Sequence, residues 1–291
     1  MHELPQPIAV VCHDAGAANI ILAAMQADAT DSYLPVMQGP AEKLWQVAGR
    51  PGASLMPLDA ALAQARSVLS GTGWASCLEH DALREARRMG LPTAAVIDHW
   101  VNYAARFERD GEVILPDEFW VTDSEAFKIA SNTFEGARIR LMPNLYLQEQ
   151  VRQIGPPSPH HAGNILYVLE PIRARWSGSD EPGEFEALDY FMTRLEQLGH
   201  PNDLRIRLRP HPSDAPGKYD AWLARQNGLN VALDRVGSLA QAIGQSEWVA
   251  GCETMALVVA LASGRKVVCT LPPAAPPCRL PHSGLLHLRK L

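Results

Sequence analysis

Pro7-Ile8-Ala9-Val10-Val11-Cys12-His13-Asp14-Ala15-Gly16 is the stretch on which the fold turns. Its apolar run is too short for a helix of ordinary length. It is long enough for a strand buried on both faces, as parallel sheets require. His13-Asp14 ends the run, and small residues lead into an Ala/Ile/Leu-rich helix near 17–27. A buried strand followed at once by a helix is the building unit of parallel α/β sheets.

The same alternation extends outward. Strands are predicted at 33–37, 54–56, 67–69, 93–97, 118–122 and 138–142, with helices at 40–48, 58–65, 76–89 and from Ser124, read as an N-cap. Gly90 follows Arg87 and Arg88 as a helix stop. After a helix at 145–153, Gly155-Pro156-Pro157-Ser158-Pro159-His160-His161 reads as a domain boundary, its histidines as linker residues. The second half has strands at 165–169, 204–208, 231–233, 247–250 and 266–270. Its helices lie at 183–198 (stopped before Gly199-His200-Pro201), 219–226, 239–245 with Ser238 as cap, and 253–263 closed by Gly264. The proline-rich tail 271–282 is expected to cross a surface. The fold class is therefore α/β, with two domains, 1–154 and 155–291, each an open parallel sheet covered by helices.

Composition excludes several classes. Apolar residues make up 47% of the 291, enough to form cores and to argue against disorder. The net charge of -6 argues against a broad nucleic-acid surface but allows a local anion pocket. No apolar run approaches the roughly 18 residues of a spanning helix. Met1-His2-Glu3-Leu4-Pro5 lacks the basic and apolar regions of a secretory signal, so a cytoplasmic location is expected. Asp28, Asp31, Asp180 and Glu181 read as solvated surface charges. Cys12, Cys77, Cys252, Cys269 and Cys278 are odd in number and show no CxxC spacing, which predicts small reduced thiols and no metal site. No cofactor is expected.

In open α/β sheets, ligands meet the carboxyl ends of strands. The polar residues there are His13, Asp14, Ser70, Thr72, Asp98, His99 and Asp123 in the first half, and Glu170, Arg209, His211, Ser213, Glu253 and Thr254 in the second. His13-Asp14 precedes a helix start where free N–H groups favour anions, although no GxGxxG fingerprint is present. Ser70-Gly71-Thr72-Gly73-Trp74 reads as a glycine turn or a ligand loop. Asp98-His99-Trp100-Val101-Asn102-Tyr103 mixes aromatic rings with polar groups, as sugar sites do, or else caps a helix over a buried Trp100. In Arg209-Pro210-His211-Pro212, two prolines stiffen the backbone around a histidine that can donate to a phosphate. Gly251-Cys252-Glu253-Thr254 places a hydroxyl at a helix start, suited to a phosphate or to capping alone.

Arg207 to Thr270 resembles the donor half of GT-B glycosyltransferases, a superfamily that includes nucleotide-sugar 2-epimerases. The resemblance rests on Arg209-Pro210-His211-Pro212, the strand 247–251, the helix 253–262 and the closing Gly264-Arg265-Lys266-Val267-Val268. The His-Pro pair is similar to that of bacterial sialyltransferases, Kdo transferases and glycerophosphate polymerases, whose donors are cytidine-linked. The resemblance implies that His211 and Thr254 hold donor phosphate, with Arg209 beside them. Many of these enzymes bind ribose with a glutamate further into the last helix. Val258, Val259 and Ala260 occupy that region, so either Glu253 substitutes or the ribose contact is absent.

The expected architecture is thus GT-B-like, two Rossmann-like domains facing a cleft, acceptor side first and donor side second. The expected function is a metal-independent glycosyltransferase of surface polysaccharide or glycan synthesis. Asp14 is the first choice of base and Asp98 the second, with His13 or His99 orienting it and Ser70, Thr72 and Asn102 in substrate contact. Expected partners are a nucleotide-sugar donor, a glycan or lipid-linked acceptor with peripheral membrane association, and no nucleic acid. Leu285, Leu286, Leu288 and Leu291 point to self-association as a homodimer. The alternatives are a nucleotide-sugar epimerase or hydrolase on the same fold, and a non-catalytic two-lobed binding protein.

Overall fold

Ile8–Cys12 (β1) is buried at every residue, and parallel strands flank it on both sides. Successive side chains of a strand face opposite ways. Ile8, Val10 and Cys12 join one apolar cluster, while Ala9 and Val11 join another on the opposite face. The computed structural model describes residues 4–27, 32–48, 54–178, 180–198, 204–226 and 228–291. Asp28, Asp31 and the helix stop at 199–201 lie outside them. The chain divides into two units, Met1–Tyr146 and Leu147–Leu291.

In the first unit, β2 (Tyr33–Met37), β3 (Ser67–Ser70) and β4 (Thr93–Val96) follow β1. A small antiparallel hairpin, β5 (Glu108–Arg109) and β6 (Glu112–Val113), comes next, then β7 (Glu118–Val121) and β8 (Arg138–Leu141). The main sheet is parallel throughout, in the order β2-β1-β3-β4-β7-β8. The strand order reverses between β1 and β3, so their carboxyl ends frame the crevice where such sheets take ligands. The predicted strand at 54–56 does not form. Met56 N–H donates to the Pro35 carbonyl at 2.9 Å, but the proline nitrogen on that same edge has no hydrogen to return. The helix cap at 124 shifts by one residue. Asp123, in extended backbone, accepts from the Ala126 N–H at 2.7 Å, and Ser124 is the first helical residue.

The second unit builds β9 (Asn164–Val168), β10 (Arg205–Arg209), β11 (Asn230–Leu233), β12 (Trp248–Gly251), β13 (Lys266–Cys269) and β14 (Leu286–His287). Their order is β11-β10-β9-β12-β13-β14, again all parallel. The reversal falls between β9 and β12. Ser238 and Gln241 form a reciprocal capping box at the helix Leu239–Gly244. The tail departs from expectation. Leu271, Ala275, Leu280, Leu285 and Leu288 are all buried, and Leu286-His287 adds a sixth strand to the sheet. Each fully buried leucine contributes roughly 1.5–3 kcal/mol. Of the four leucines that pointed to self-association, Leu285 and Leu288 are buried within their own unit, while Leu286 and Leu291 are exposed. Among the described residues, no helix is long and apolar enough to cross a membrane.

Candidate functional site

The crevice of the first unit gathers residues from the ends of β1, β3 and β4. His13 Nδ1 donates to Asp14 Oδ1 at 2.7 Å, and the Trp74 N–H donates to Asp14 Oδ2 at 3.0 Å. The His13 N–H donates to Glu79 Oε1 at 2.7 Å. Burial pushes the Glu79 carboxyl above its ordinary range, against the pull of that hydrogen bond. Asp98 pairs with Arg106 at 3.1 Å, and Arg106 also donates to both the carbonyl and hydroxyl of Thr72. Two glycines make this crowding possible. A Cβ on Gly16 would lie 1.7 Å from Asp98 Oδ2, and one on Gly73 would lie 2.8 Å from the Asp14 carboxylate. The Ser70 hydroxyl and Glu79 Oε2 are buried with no hydrogen-bond partner among the described residues. Such orphaned atoms mark a place for water or a ligand.

His13, Asp14, Ser70, Thr72 and Asp98 therefore sit in one neighbourhood. His99 packs its ring against Trp100 at 5.4 Å, and Trp100 donates to the helix-capping Asp123 at 2.9 Å. Asn102 is exposed, in left-handed backbone with φ 58°, where asparagine is one of the few tolerated residues. Its carbonyl accepts from the Arg106 N–H. Arg106, buried at the heart of this site, lies in no strand end or motif, and sequence reasoning missed it.

In the second unit, His211 follows β10 and is exposed. The Ser213 N–H donates to its Nδ1 at 3.2 Å, with the Ser213 hydroxyl also 2.7 Å away. A nitrogen that accepts from an amide carries no proton, so the neutral ring bears its hydrogen on Nε2. The His211 N–H is itself held by Asp214 Oδ2 at 2.9 Å. Asp214 and Glu184, both nearly buried, clamp Lys218 at 2.6 and 2.5 Å. Burial opposes the charge on each of Asp214 and Lys218, but their mutual hydrogen bond keeps Asp214 ionised and Lys218 protonated. These groups border an open pocket of about 300 Å³ together with Pro171, Arg173 and Ser213. Arg173 has no ion-pair partner among the described residues and supplies that pocket with a cation that the sequence reading missed.

The other donor-side residues are engaged within the unit. Arg209 is tied to the buried Asp234 at 2.6 Å and to the carbonyls of Val236 and Gly237, and Asp234 also holds Arg207 at 3.2 Å. Glu253 accepts from the Arg279 N–H at 2.9 Å and from its guanidinium at 2.6 Å. Thr254 caps the helix Met255–Ala262, accepting from the Ala256 N–H at 3.3 Å. At the strand-order reversal, Glu170 accepts from the N–H groups of Cys252 at 3.0 Å and Glu253 at 2.8 Å. Burial drives the Glu170 carboxyl up to about 7, and these hydrogen bonds only partly restrain it. A Cβ on Gly251 would meet the Val168 carbonyl at 2.9 Å, so glycine lets β12 and β9 close up here. The absence of ligand spacing predicted no metal site, yet Cys269, Cys278 and His287 place one donor atom each within 4.8 Å of one another.

No protein-family model matches the sequence, and no curated protein matches it. Solved structures share its fold. S. aureus MnaA in complex with UDP aligns with a TM-score of 0.58 at 11% identity, over 90% of this chain and 78% of that one. A UDP-GlcNAc 2-epimerase from Neisseria meningitidis bound to UDP-GlcNAc gives 0.56 at 11% identity, over 90% and 82%. Anabaena HepE in complex with UDP and glucose gives 0.51 at 12% identity, over 92% and 81%. The two parallel six-stranded sheets and these likenesses define a two-domain α/β fold of the GT-B class.

Proposed function

We propose that this protein is an enzyme acting on a nucleotide-activated sugar, and that it transfers the sugar to an acceptor hydroxyl. The observation that carries the reading is the polar end of β10. His211, its Nδ1 occupied by Ser213, carries its hydrogen on Nε2, and Ser213 borders a pocket that also holds Arg173 and Lys218. A phosphate leaving group needs such a donor and cation, which stabilise the negative charge that develops as the glycosidic bond breaks. The second unit is therefore the donor side. Arg173 takes the place that the sequence reading gave to Arg209, whose guanidinium is held by Asp234 and by the carbonyls of Val236 and Gly237.

The first unit is the acceptor side, and Asp14 is its base. His13 and the Trp74 N–H fix the carboxylate in position. It takes the proton of the acceptor hydroxyl as that oxygen attacks the anomeric carbon, and the nucleotide leaves with the bonding electron pair. Asp98, paired with Arg106, is a positioning residue. The identity of the base bound is open to direct test, since the His-Pro motif favours a cytidine nucleotide and the solved neighbours hold uridine nucleotides. Epimerisation of the donor alone is the second reading, favoured by the N. meningitidis 2-epimerase among the neighbours.

A thermal-shift panel of CMP, CDP, UMP, UDP, GDP and ADP tests donor binding. A ligand confined to the folded state adds about 2.7 kcal/mol of stability at a hundred times its dissociation constant. A selective shift, lost in His211→Ala, supports the donor site; no shift with any nucleotide refutes it. Product formed only when acceptor is added identifies transfer, whereas conversion of donor alone identifies epimerisation or hydrolysis. In the transfer assay, Asp14→Asn should lower kcat by about 10²–10⁴.

A further inference from the structure

We propose that Cys269, Cys278 and His287 form a binding site for a borderline-soft divalent cation of the Zn2+ class. The three come from separate segments: the end of β13, the proline-rich loop and β14. Cys269 and His287 are register partners in the parallel pairing of β13 with β14, so the sheet itself sets them side by side. Cys278 is delivered by a loop fixed at several points. The adjacent Arg279 holds Glu253 through its N–H and guanidinium, Arg289 donates to the carbonyls of Ala275 and Pro276, and Cys278 Sγ lies 3.9 Å from the Cys252 carbonyl oxygen. One donor atom from each residue falls within a 4.8 Å span.

The donor set selects the metal. Two thiols and one imidazole suit Zn2+, whose bonds of about 2.3 Å to sulfur and 2.0–2.1 Å to nitrogen place tetrahedral ligands roughly 3.5–3.8 Å apart. The cluster has to contract by about 1 Å, within reach of side-chain rotation. Cys269 is buried while Cys278 and His287 are partly exposed, which leaves a route for the ion. On binding, both thiols release their protons to solvent and both sulfurs bond the metal, so two thiolate charges balance the dication. No redox change occurs. A fourth coordination position remains for water. The bound ion ties the loop to the sheet edge and with it Arg279, the residue that holds Glu253 beside the strand-order reversal.

Titration of the reduced, chelator-treated full chain with Co2+ tests the site. Equimolar Co2+ should give a sulfur-to-cobalt charge-transfer band in the near ultraviolet and visible bands of tetrahedral intensity, both reversed by Zn2+. Cys278→Ser should abolish the tight binding, His287→Ala should weaken it and move the visible bands, and Cys77→Ser, an exposed control, should leave the titration unchanged. Circular dichroism establishes that each variant is folded. Absence of the charge-transfer band in the reduced chain overturns the proposal, as does an unaltered band in folded Cys278→Ser. Should Cys278→Ser not fold, an unchanged affinity and visible spectrum in His287→Ala overturn it. A Cys269–Cys278 disulfide whose reduction restores no cobalt binding counts equally against it.

Discussion

Replacing Glu170 by glutamine should stabilise the protein at pH 8 relative to the wild type, with the advantage disappearing toward pH 4.5. The Glu170 carboxyl is partly buried beyond β9 and accepts from the N–H groups of Cys252 and Glu253 at 3.0 and 2.8 Å. Burial raises its pKa from 4.5 to about 7 despite those bonds. A raised folded value means that the native state holds the proton more tightly than the unfolded chain. Its contribution is fully present below pH 4.5 and is lost as pH rises through about 7. At about 1.36 kcal/mol per pH unit, the loss totals on the order of 3 kcal/mol. Glutamine keeps the shape and a carbonyl oxygen for the two N–H groups but carries no charge. Urea unfolding of both proteins at several pH values between 4.5 and 8 isolates the effect, because every other titrating group cancels in the difference. A stability difference that stays constant across this range would refute the assignment of a partly buried, proton-holding carboxyl.

His211→Ala should weaken nucleotide binding by about tenfold or more, the weight of one charge-assisted hydrogen bond, without altering the circular dichroism spectrum of this exposed site. Ser213→Ala should cost less, because the Ser213 N–H still fixes the ring tautomer; equal losses in calorimetric titrations of both variants would contradict that assignment. Gly16→Ala puts a Cβ 1.7 Å from Asp98 Oδ2 and must push Asp98 off Arg106. A destabilisation of about 1–3 kcal/mol in urea unfolding is expected, and no change would show that the carboxylate is not held there.

The order of elements was legible because burial on both sheet faces leaves short, unbroken apolar runs such as Ile8–Cys12, and because glycines and capping residues punctuate the helices. What lay beyond reach depends on tertiary contact. Ser54–Met56 has a strand's apolar character, but Pro35 limits the edge it would join. Leu285 and Leu288 read as a self-association surface, but they are buried on either side of the Leu286–His287 strand that pairs with β13. The strand-end rule gathered His13, Asp14, Asp98, Glu170 and His211. It could not say that Arg209 answers Asp234 or that Arg173 faces the pocket, since an arginine's partner is set by side-chain reach across the fold. Cys269 and His287 are 18 positions apart, a spacing with no local meaning, and only the β13–β14 register makes them neighbours.

The position of Glu170 has a consequence for ligand binding as well as stability. Its carboxyl occupies the Cys252 and Glu253 N–H groups at the strand-order reversal, where this fold class offers amides to an anion. A diphosphate arriving beside an ionised carboxylate meets like charge, which raises the carboxyl's pKa further. Since the free protein already titrates this group near 7, a nucleotide sugar bound above that pH must take up a proton with it. Affinity should then fall as pH rises from about 7, by up to about tenfold per pH unit, until the pKa of the complex is passed. The phosphate oxygens of a nucleotide sugar do not titrate in this range, so UDP-GlcNAc and a CMP-linked sugar are the ligands to use. Isothermal titration in buffers of differing ionisation enthalpy counts the proton directly. Glu170→Gln should remove both the proton uptake and the pH slope. A wild-type affinity that is flat from pH 6 to 9 would place the phosphate away from Glu170 and toward Arg173 and His211 alone.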